Sequence, residues 1–98
     1  MDDLVIDSGV AIKWFVAESD SASARRILND YYAGKFIFHA PDFIYAEFGN
    51  IMWKKQAFQG FDRADAESIV RQFKTQVTLT LTATQDLLEE AYKLAVIH

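Results

Sequence analysis

The sequence contains no cysteine and only one proline. The absence of cysteine excludes disulfide frameworks, thiolate metal sites and a cysteine nucleophile. No apolar run approaches the ~20 residues that a membrane-spanning helix needs. The N-terminus, Met1-Asp2-Asp3, is acidic where a secretory signal carries basic residues. We therefore expect a cytoplasmic protein with no membrane segment.

Basic residues are also few. Ten Lys and Arg stand against 14 Asp and Glu, which gives a net charge of −4. Such a chain lacks the broad basic surface that drives non-specific nucleic-acid binding, so any action on nucleic acid needs a local cationic patch, a bound metal ion or another subunit. Apolar residues are plentiful instead, at 51% of 98 residues, which is typical of one small folded domain.

Strand-like and helix-like segments alternate along the chain. Strands are predicted over 4–6, 35–40 and 77–82, and helices over 10–15, 17–32, 41–56 and 62–76. A last helix is predicted from Thr84, with an apolar stripe formed by Leu87, Leu88, Ala91, Leu94 and Ala95. The order β-α-α-β-α-α-β-α predicts an α/β fold with a parallel sheet flanked by helices. Because three strands are few for such a sheet, we expect residues 1–98 to be one domain that is incomplete at its C-terminus.

The first predicted strand, Leu4 to Ile6, runs directly into Asp7. Open α/β sheets bind ligands at the carboxyl ends of their strands. This position makes Asp7 a candidate ligand-binding residue. The alternative is that a strand simply ends there and a turn begins.

A second acid, Glu47, lies in the third predicted helix. At ~100° per residue, one face of that helix collects Phe43, Ile44, Phe48, Ile51 and Met52. Glu47 falls inside this apolar face, with Asn50 at its edge, and the opposite side carries Tyr45, Gly49, Trp53 and Gln56. A carboxylate that faces a core is costly unless it is compensated, which favours a functional site; an ion pair or an outward-bent side chain is the alternative.

Together, Asp7 and Glu47 predict a site for Mg²⁺ or Mn²⁺. These ions are held by a few carboxylates together with waters and substrate phosphate oxygens. Such a cation also compensates for the negative charge of the chain. Lys13, Lys54 and Lys55 are candidates for contacts with the phosphates of a substrate, with ordinary solvated surface lysines as the alternative.

Two stretches, VIDSGVAIKWFVAES and APDFIYAEFGNIMWKK, resemble the PIN domain of VapC-type toxins. The similarity covers nearly the whole chain, and its specificity lies in the combination of the two motifs. It implies a PIN-like α/β fold and a metal-dependent endoribonuclease, the toxin of a toxin–antitoxin module, that uses Mg²⁺ or Mn²⁺. Asp7 and Glu47 match two catalytic, metal-binding acids of the family, while Ser8 and Asn50 match supporting polar positions beside them.

The resemblance also implies partners: an RNA substrate, a cognate antitoxin protein and a second copy in a homodimer. With RNA as the substrate, Lys13, Lys54 and Lys55 are the candidates for contacts with its phosphates. The family's further acids lie beyond the second motif, and this sequence reaches His98 without matching them. Catalysis is therefore expected of a longer parent protein. The alternative is a non-catalytic PIN-like module that associates with an antitoxin or with itself, because an open sheet edge and an apolar face favour association.

Overall fold

A computed structural model describes residues 1–83, 85 and 86. In chain order its elements are β1 (Asp2–Val5), α1 (Ser8–Phe15), α2 (Ser21–Tyr32), β2 (Phe36–Pro41), α3 (Ile44–Phe58), α4 (Arg63–Gln76) and β3 (Leu79–Thr82). The predicted order of elements is confirmed as far as β3. The helix predicted from Thr84 lies outside the described residues. None of the helices α1 to α4 is both long enough and apolar enough to cross a membrane.

The three strands form one parallel sheet in the order β1-β2-β3. Val5 pairs with His39, and Phe38 pairs with Leu79. Both crossovers step across the sheet in the same direction, so the right-handed rule places all four helices on one face. The predicted fold class, an α/β fold with a parallel sheet and flanking helices, is confirmed.

The core lies between these helices and the covered face of the sheet. Along β2, Phe38 and Ala40 are buried, whereas Ile37 is exposed. Trp14 stacks on Phe38 with ring centroids 5.3 Å apart, and its indole N–H donates a hydrogen bond to the Ala24 carbonyl at 2.9 Å. Trp14 therefore joins α1 to both α2 and the sheet.

The other face of the sheet is open to solvent in the described part of the chain. Val5 is 76% exposed and Ile37 is 40% exposed. Asp3 and His39 lie on the same face, with His39 Nε2 2.8 Å from Asp3 Oδ1. This exposed pair links β1 to β2, but the apolar side chains beside it are not covered by any of the helices α1 to α4.

Two helices begin later than predicted. The start of α2 is delayed to Ser21, whose Oγ accepts a hydrogen bond from the Glu18 N–H at 2.8 Å and donates one to the Val16 carbonyl at 3.2 Å. These bonds hold the preceding residues in a turn. The start of α3 is delayed to Ile44, because Pro41 still pairs within β2.

Candidate active site

Asp7 and Glu47 lie at the same edge of the sheet. Asp7 follows β1, and Glu47 lies in the first turn of α3, which follows β2. Because β1 and β2 are neighbouring parallel strands, their carboxyl ends lie side by side. This is the edge at which open α/β sheets bind ligands. The topology thus places two acids that are far apart in the sequence after neighbouring strands, at the same end of the sheet.

Asp7 also has a structural role, as the N-cap of α1. Its Oδ1 accepts a hydrogen bond from the Val10 N–H at 2.8 Å. The positive end of the helix dipole favours an anion at this position. The side chain is exposed, and Oδ2 has no hydrogen-bond partner among the described residues. One carboxylate oxygen therefore supports the helix while the other is accessible to a ligand.

Glu47 is exposed, so the prediction that it faces the core is wrong. The buried residues of α3 are Ile44, Phe48 and Met52. The predicted apolar face included Phe43, but Phe43 is the N-cap of α3 and is 39% exposed. Without it the buried face centres on Phe48, about 100° around the helix from Glu47. The case for Glu47 therefore depends on its place at the sheet edge and not on a costly burial.

The supporting polar residues lie close to these acids along the chain. Ser8 is the first residue of α1 and is half-buried. Asn50 and Lys54 are exposed on α3. Spacings of three and four residues place Glu47, Asn50 and Lys54 in one row along the helix. A carboxylate, an amide and an ammonium group thus share one exposed side of α3.

The other two lysines are less accessible than Lys54. Lys55 Nζ lies 2.8 Å from Glu18 Oε1, and the two side chains are 14% and 33% exposed. An RNA phosphate at Lys55 would have to replace Glu18. Lys13 is half-buried in the last turn of α1. Lys54 is therefore the most accessible of the three cations predicted to contact RNA.

The metal chemistry that these residues allow is limited. Within 1–83, 85 and 86, no group of three or more His, Cys, Asp or Glu side chains is placed to hold a metal ion. Magnesium nevertheless binds through one or two carboxylates when waters and substrate phosphates complete its coordination. Two exposed carboxylates at one sheet edge fit that weak kind of site, and they do not fit an ion held tightly by protein ligands alone.

Two features escaped the sequence analysis. Asp86 is exposed and follows β3, so it lies along the same edge of the sheet as Asp7. Its signal is weaker than that of Asp7, because Asp86 does not follow its strand directly: β3 ends at Thr82. The second feature is a groove between α3 and α4, and its signal is Gly49 in the middle of a helical segment.

No protein-family model matches the chain, and no curated protein matches it at a significant level. The resemblance to a PIN domain therefore depends on the two motifs. The structure adds two observations. The fold is α/β, and Asp7 and Glu47, one from each motif, lie at the same edge of the sheet.

Proposed function

We propose that this chain carries the PIN-type domain of a metal-dependent endoribonuclease, the toxin of a cytoplasmic toxin–antitoxin module. The observation that carries the proposal is the position of Asp7 and Glu47 at the carboxyl ends of neighbouring parallel strands. Each acid belongs to one of the two PIN-like motifs. The proposed partners are RNA and an antitoxin protein. Catalysis is proposed for the longer parent protein, which we call the longest natural form of the protein.

In this proposal each polar residue of the site has a defined task. Asp7 and Glu47 hold a divalent cation, Mg²⁺ or Mn²⁺, through their exposed carboxylates. When bound, such an ion neutralises charge on a phosphodiester and lowers the pKa of a bound water. Ser8 and Asn50 orient the two carboxylates. Lys54 contacts the RNA backbone farther along α3, which also offsets repulsion between RNA and an acidic protein.

The test is RNA cleavage by the longest natural form of the protein with Mg²⁺ or Mn²⁺. Glu47→Gln should lower the rate at least about 100-fold, because a metal ligand is lost, and leave the free energy of unfolding unchanged, because Glu47 is exposed. Glu67→Gln is the matched control, since Glu67 is an exposed glutamate that pairs with Arg63 on α4. Normal cleavage by Glu47→Gln, or an equal loss in Glu67→Gln, contradicts the proposal.

A second candidate function is non-catalytic binding. It is favoured by the face of the sheet that helices α1 to α4 leave open, where Val5 and Ile37 are exposed. A module of this kind associates with an antitoxin or with itself and does not cleave RNA. Metal-dependent cleavage that is lost in Glu47→Gln excludes this candidate. Association without any metal-dependent cleavage by the longest natural form supports it.

A further inference from the structure

Helix α3 carries an exposed row of side chains that extends beyond the candidate active site. Glu47, Asn50 and Lys54 belong to this row. At ~100° per residue, Phe43 before them and Phe58 after them fall on the same side of the helix, and all five are exposed. We call these five residues the α3 row. It has an aromatic ring at each end, with an acid, an amide and an ammonium group between the rings.

The far end of the α3 row belongs to a pair of exposed aromatic rings. Phe58 is 74% exposed, and Trp53 beside it is 56% exposed. Their ring centroids lie 5.7 Å apart, and their planes are nearly perpendicular, at 89°. In such a pair the edge of one ring meets the face of the other, so at least one ring keeps both faces free of its partner. We call Trp53 and Phe58 the aromatic platform.

Lys54 places a cation next to the aromatic platform. It follows Trp53 directly and precedes Phe58 by about one helical turn. Lys54 has no ion-pair partner among the described residues, whereas Glu18, an acid that reaches α3, is paired with Lys55 at 2.8 Å. The charge of Lys54 is therefore available to an anion. Proteins bind single-stranded nucleic acid with this combination, in which cations contact the phosphates and exposed rings stack on the bases.

The length of the α3 row sets how far the aromatic platform lies from a phosphate at the metal site. A helix rises ~1.5 Å per residue, so Phe58 lies ~16 Å along α3 from Glu47 and Lys54 lies ~10 Å from it. A stacked strand of nucleic acid advances ~3.4 Å per nucleotide, and an extended strand advances further. A base on the platform is therefore within about five nucleotides of a phosphate held at Glu47. Lys54 lies beside the phosphates between them.

We propose that the aromatic platform binds an unpaired base of single-stranded RNA, with Lys54 on a neighbouring phosphate. This role rests on the proposed nuclease function and deepens it, because unpaired RNA becomes the substrate and Trp53 and Phe58 the residues that position it. A base inside a duplex has both faces covered by its neighbours and cannot stack on the platform. Because every base has a π face, the platform selects single strands over duplexes and has little preference for sequence.

Two RNA probes test the aromatic platform. One is an unstructured single strand of about ten nucleotides, a length that such surfaces cover, and the other is the same strand paired with its complement. Binding is measured at low salt and without a divalent cation, so that no cleavage occurs. The readout is quenching of Trp53 fluorescence, because Trp14 is buried and supplies a constant background. The single strand should quench Trp53 and bind at least about tenfold tighter than the duplex.

Variants of the full chain assign the binding to the aromatic platform. Phe58→Leu keeps an apolar side chain without the ring, so it should weaken single-strand binding at least about fivefold, and Phe58→Tyr should bind normally. Tyr45→Leu is the matched control, because Tyr45 is 36% exposed on the opposite side of α3. Lys54→Gln should lower the salt dependence of binding. Its control is Lys74→Gln, which removes an exposed lysine of α4 and should leave the salt dependence unchanged.

Three results overturn the proposal. The first is duplex binding as tight as single-strand binding, or binding of neither probe. The second is unchanged binding by Phe58→Leu, an equal loss in Tyr45→Leu, or an unchanged salt dependence in Lys54→Gln. The third is quenching of Trp53 that grows with protein concentration in the absence of RNA, since this would show that the platform contacts a second copy of the chain.

Cleavage by the longest natural form separates this test from that of the nuclease. Glu47→Gln should bind the single strand at least as tightly as the unmodified protein, although its cleavage is lost. Phe58→Leu should raise KM for single-stranded RNA at least about fivefold and leave kcat unchanged, because the platform contacts the strand away from the metal site. Binding at the platform without metal-dependent cleavage contradicts the nuclease alone. Metal-dependent cleavage with an unchanged KM in Phe58→Leu contradicts the platform alone.

Discussion

At the scale of single residues, Asp7 combines a helix cap with a candidate metal ligand. Asp7→Asn keeps a good N-cap, so the free energy of unfolding should change little. Asp7→Ala removes the bond to the Val10 N–H and should lower the free energy of unfolding by about 1 kcal/mol. Urea unfolding followed by circular dichroism measures both values.

Cleavage assays on the same two variants separate the roles of Asp7. Both variants lose the charged ligand, so both should lose metal-dependent RNA cleavage in the longest natural form of the protein. Cleavage retained by Asp7→Asn and lost only in Asp7→Ala would show that Asp7 acts through the helix cap alone.

Tyr32 gives the fold a dependence on alkaline pH. Its hydroxyl donates a hydrogen bond to the Gln76 carbonyl at 3.1 Å. Burial, and then the charge of Tyr31, raise the pKa of Tyr32 above its ordinary value of 10.0. The folded protein thus holds this proton more tightly than the unfolded chain does. The resulting stabilisation is complete below pH 10.0 and is lost as the pH rises through the folded-state pKa.

Tyr32→Phe checks this pH dependence. We expect its urea midpoint to fall less steeply above pH 10.0 than that of the unmodified protein. The same slope in both proteins would contradict the assignment. Below that pH the variant should be slightly less stable, because it lacks the bond to Gln76.

Sequence patterns located Asp7 correctly but misplaced the side chain of Glu47. The position of Asp7 depends only on local signals, namely a short apolar run followed by an acid. The predicted buried face of α3 included Phe43, because the helix was predicted to begin at Pro41. Since α3 begins at Ile44, Phe43 does not contribute to that face, and Glu47 lies outside it. The predicted start ignored the pairing of Pro41 within β2.

At the scale of elements, the two glycines Gly49 and Gly34 should respond in opposite ways to substitution. Gly49→Ala adds a side chain inside α3 where nothing lies within 4 Å, so it should raise the free energy of unfolding by about 0.5–1 kcal/mol. Gly34→Ala places a side chain at φ 81° after α2, so it should lower that free energy by about 1 kcal/mol. Denaturant midpoints measure both effects, and a loss of stability in Gly49→Ala would mean that the groove floor is tighter than described.

Element types were predictable because each segment has its own period of apolar residues. Element ends were less predictable, since they depend on bonds that periodicity does not record, such as those of Ser21 with Glu18 and Val16. The groove between α3 and α4 was not predicted, because its one local signal, Gly49 inside a helical segment, does not define a groove by itself. It depends on how closely two helices approach, although the sequence did place Tyr45, Gly49, Trp53 and Gln56 away from the apolar face of α3.

At the scale of the whole molecule, the face of the sheet that none of the helices α1 to α4 covers should promote self-association. Val5→Thr combined with Ile37→Thr lowers the exposed apolar area and keeps β-branched residues in the strands. The double variant should show less association by light scattering, with an unchanged circular dichroism spectrum.

Val70→Thr is the matched control for this prediction, because Val70 is an exposed apolar residue of the groove between α3 and α4. It should associate as the unmodified protein does. If Val70→Thr associates less and the sheet variant associates as much as the unmodified protein, the contact between copies lies in the groove. That result would contradict the role of the sheet face.

The order of the sheet has a consequence for how the protein is made. Each strand pairs with the next one along the chain, β1 with β2 and β2 with β3. During synthesis, which proceeds from the N-terminus, β2 and β3 therefore each find a partner strand that has already left the ribosome. The pair β1–β2 can close before β3 has left the ribosome, and β3 then pairs with the free side of β2. The nascent chain can assemble its sheet in the order in which the strands leave the exit tunnel.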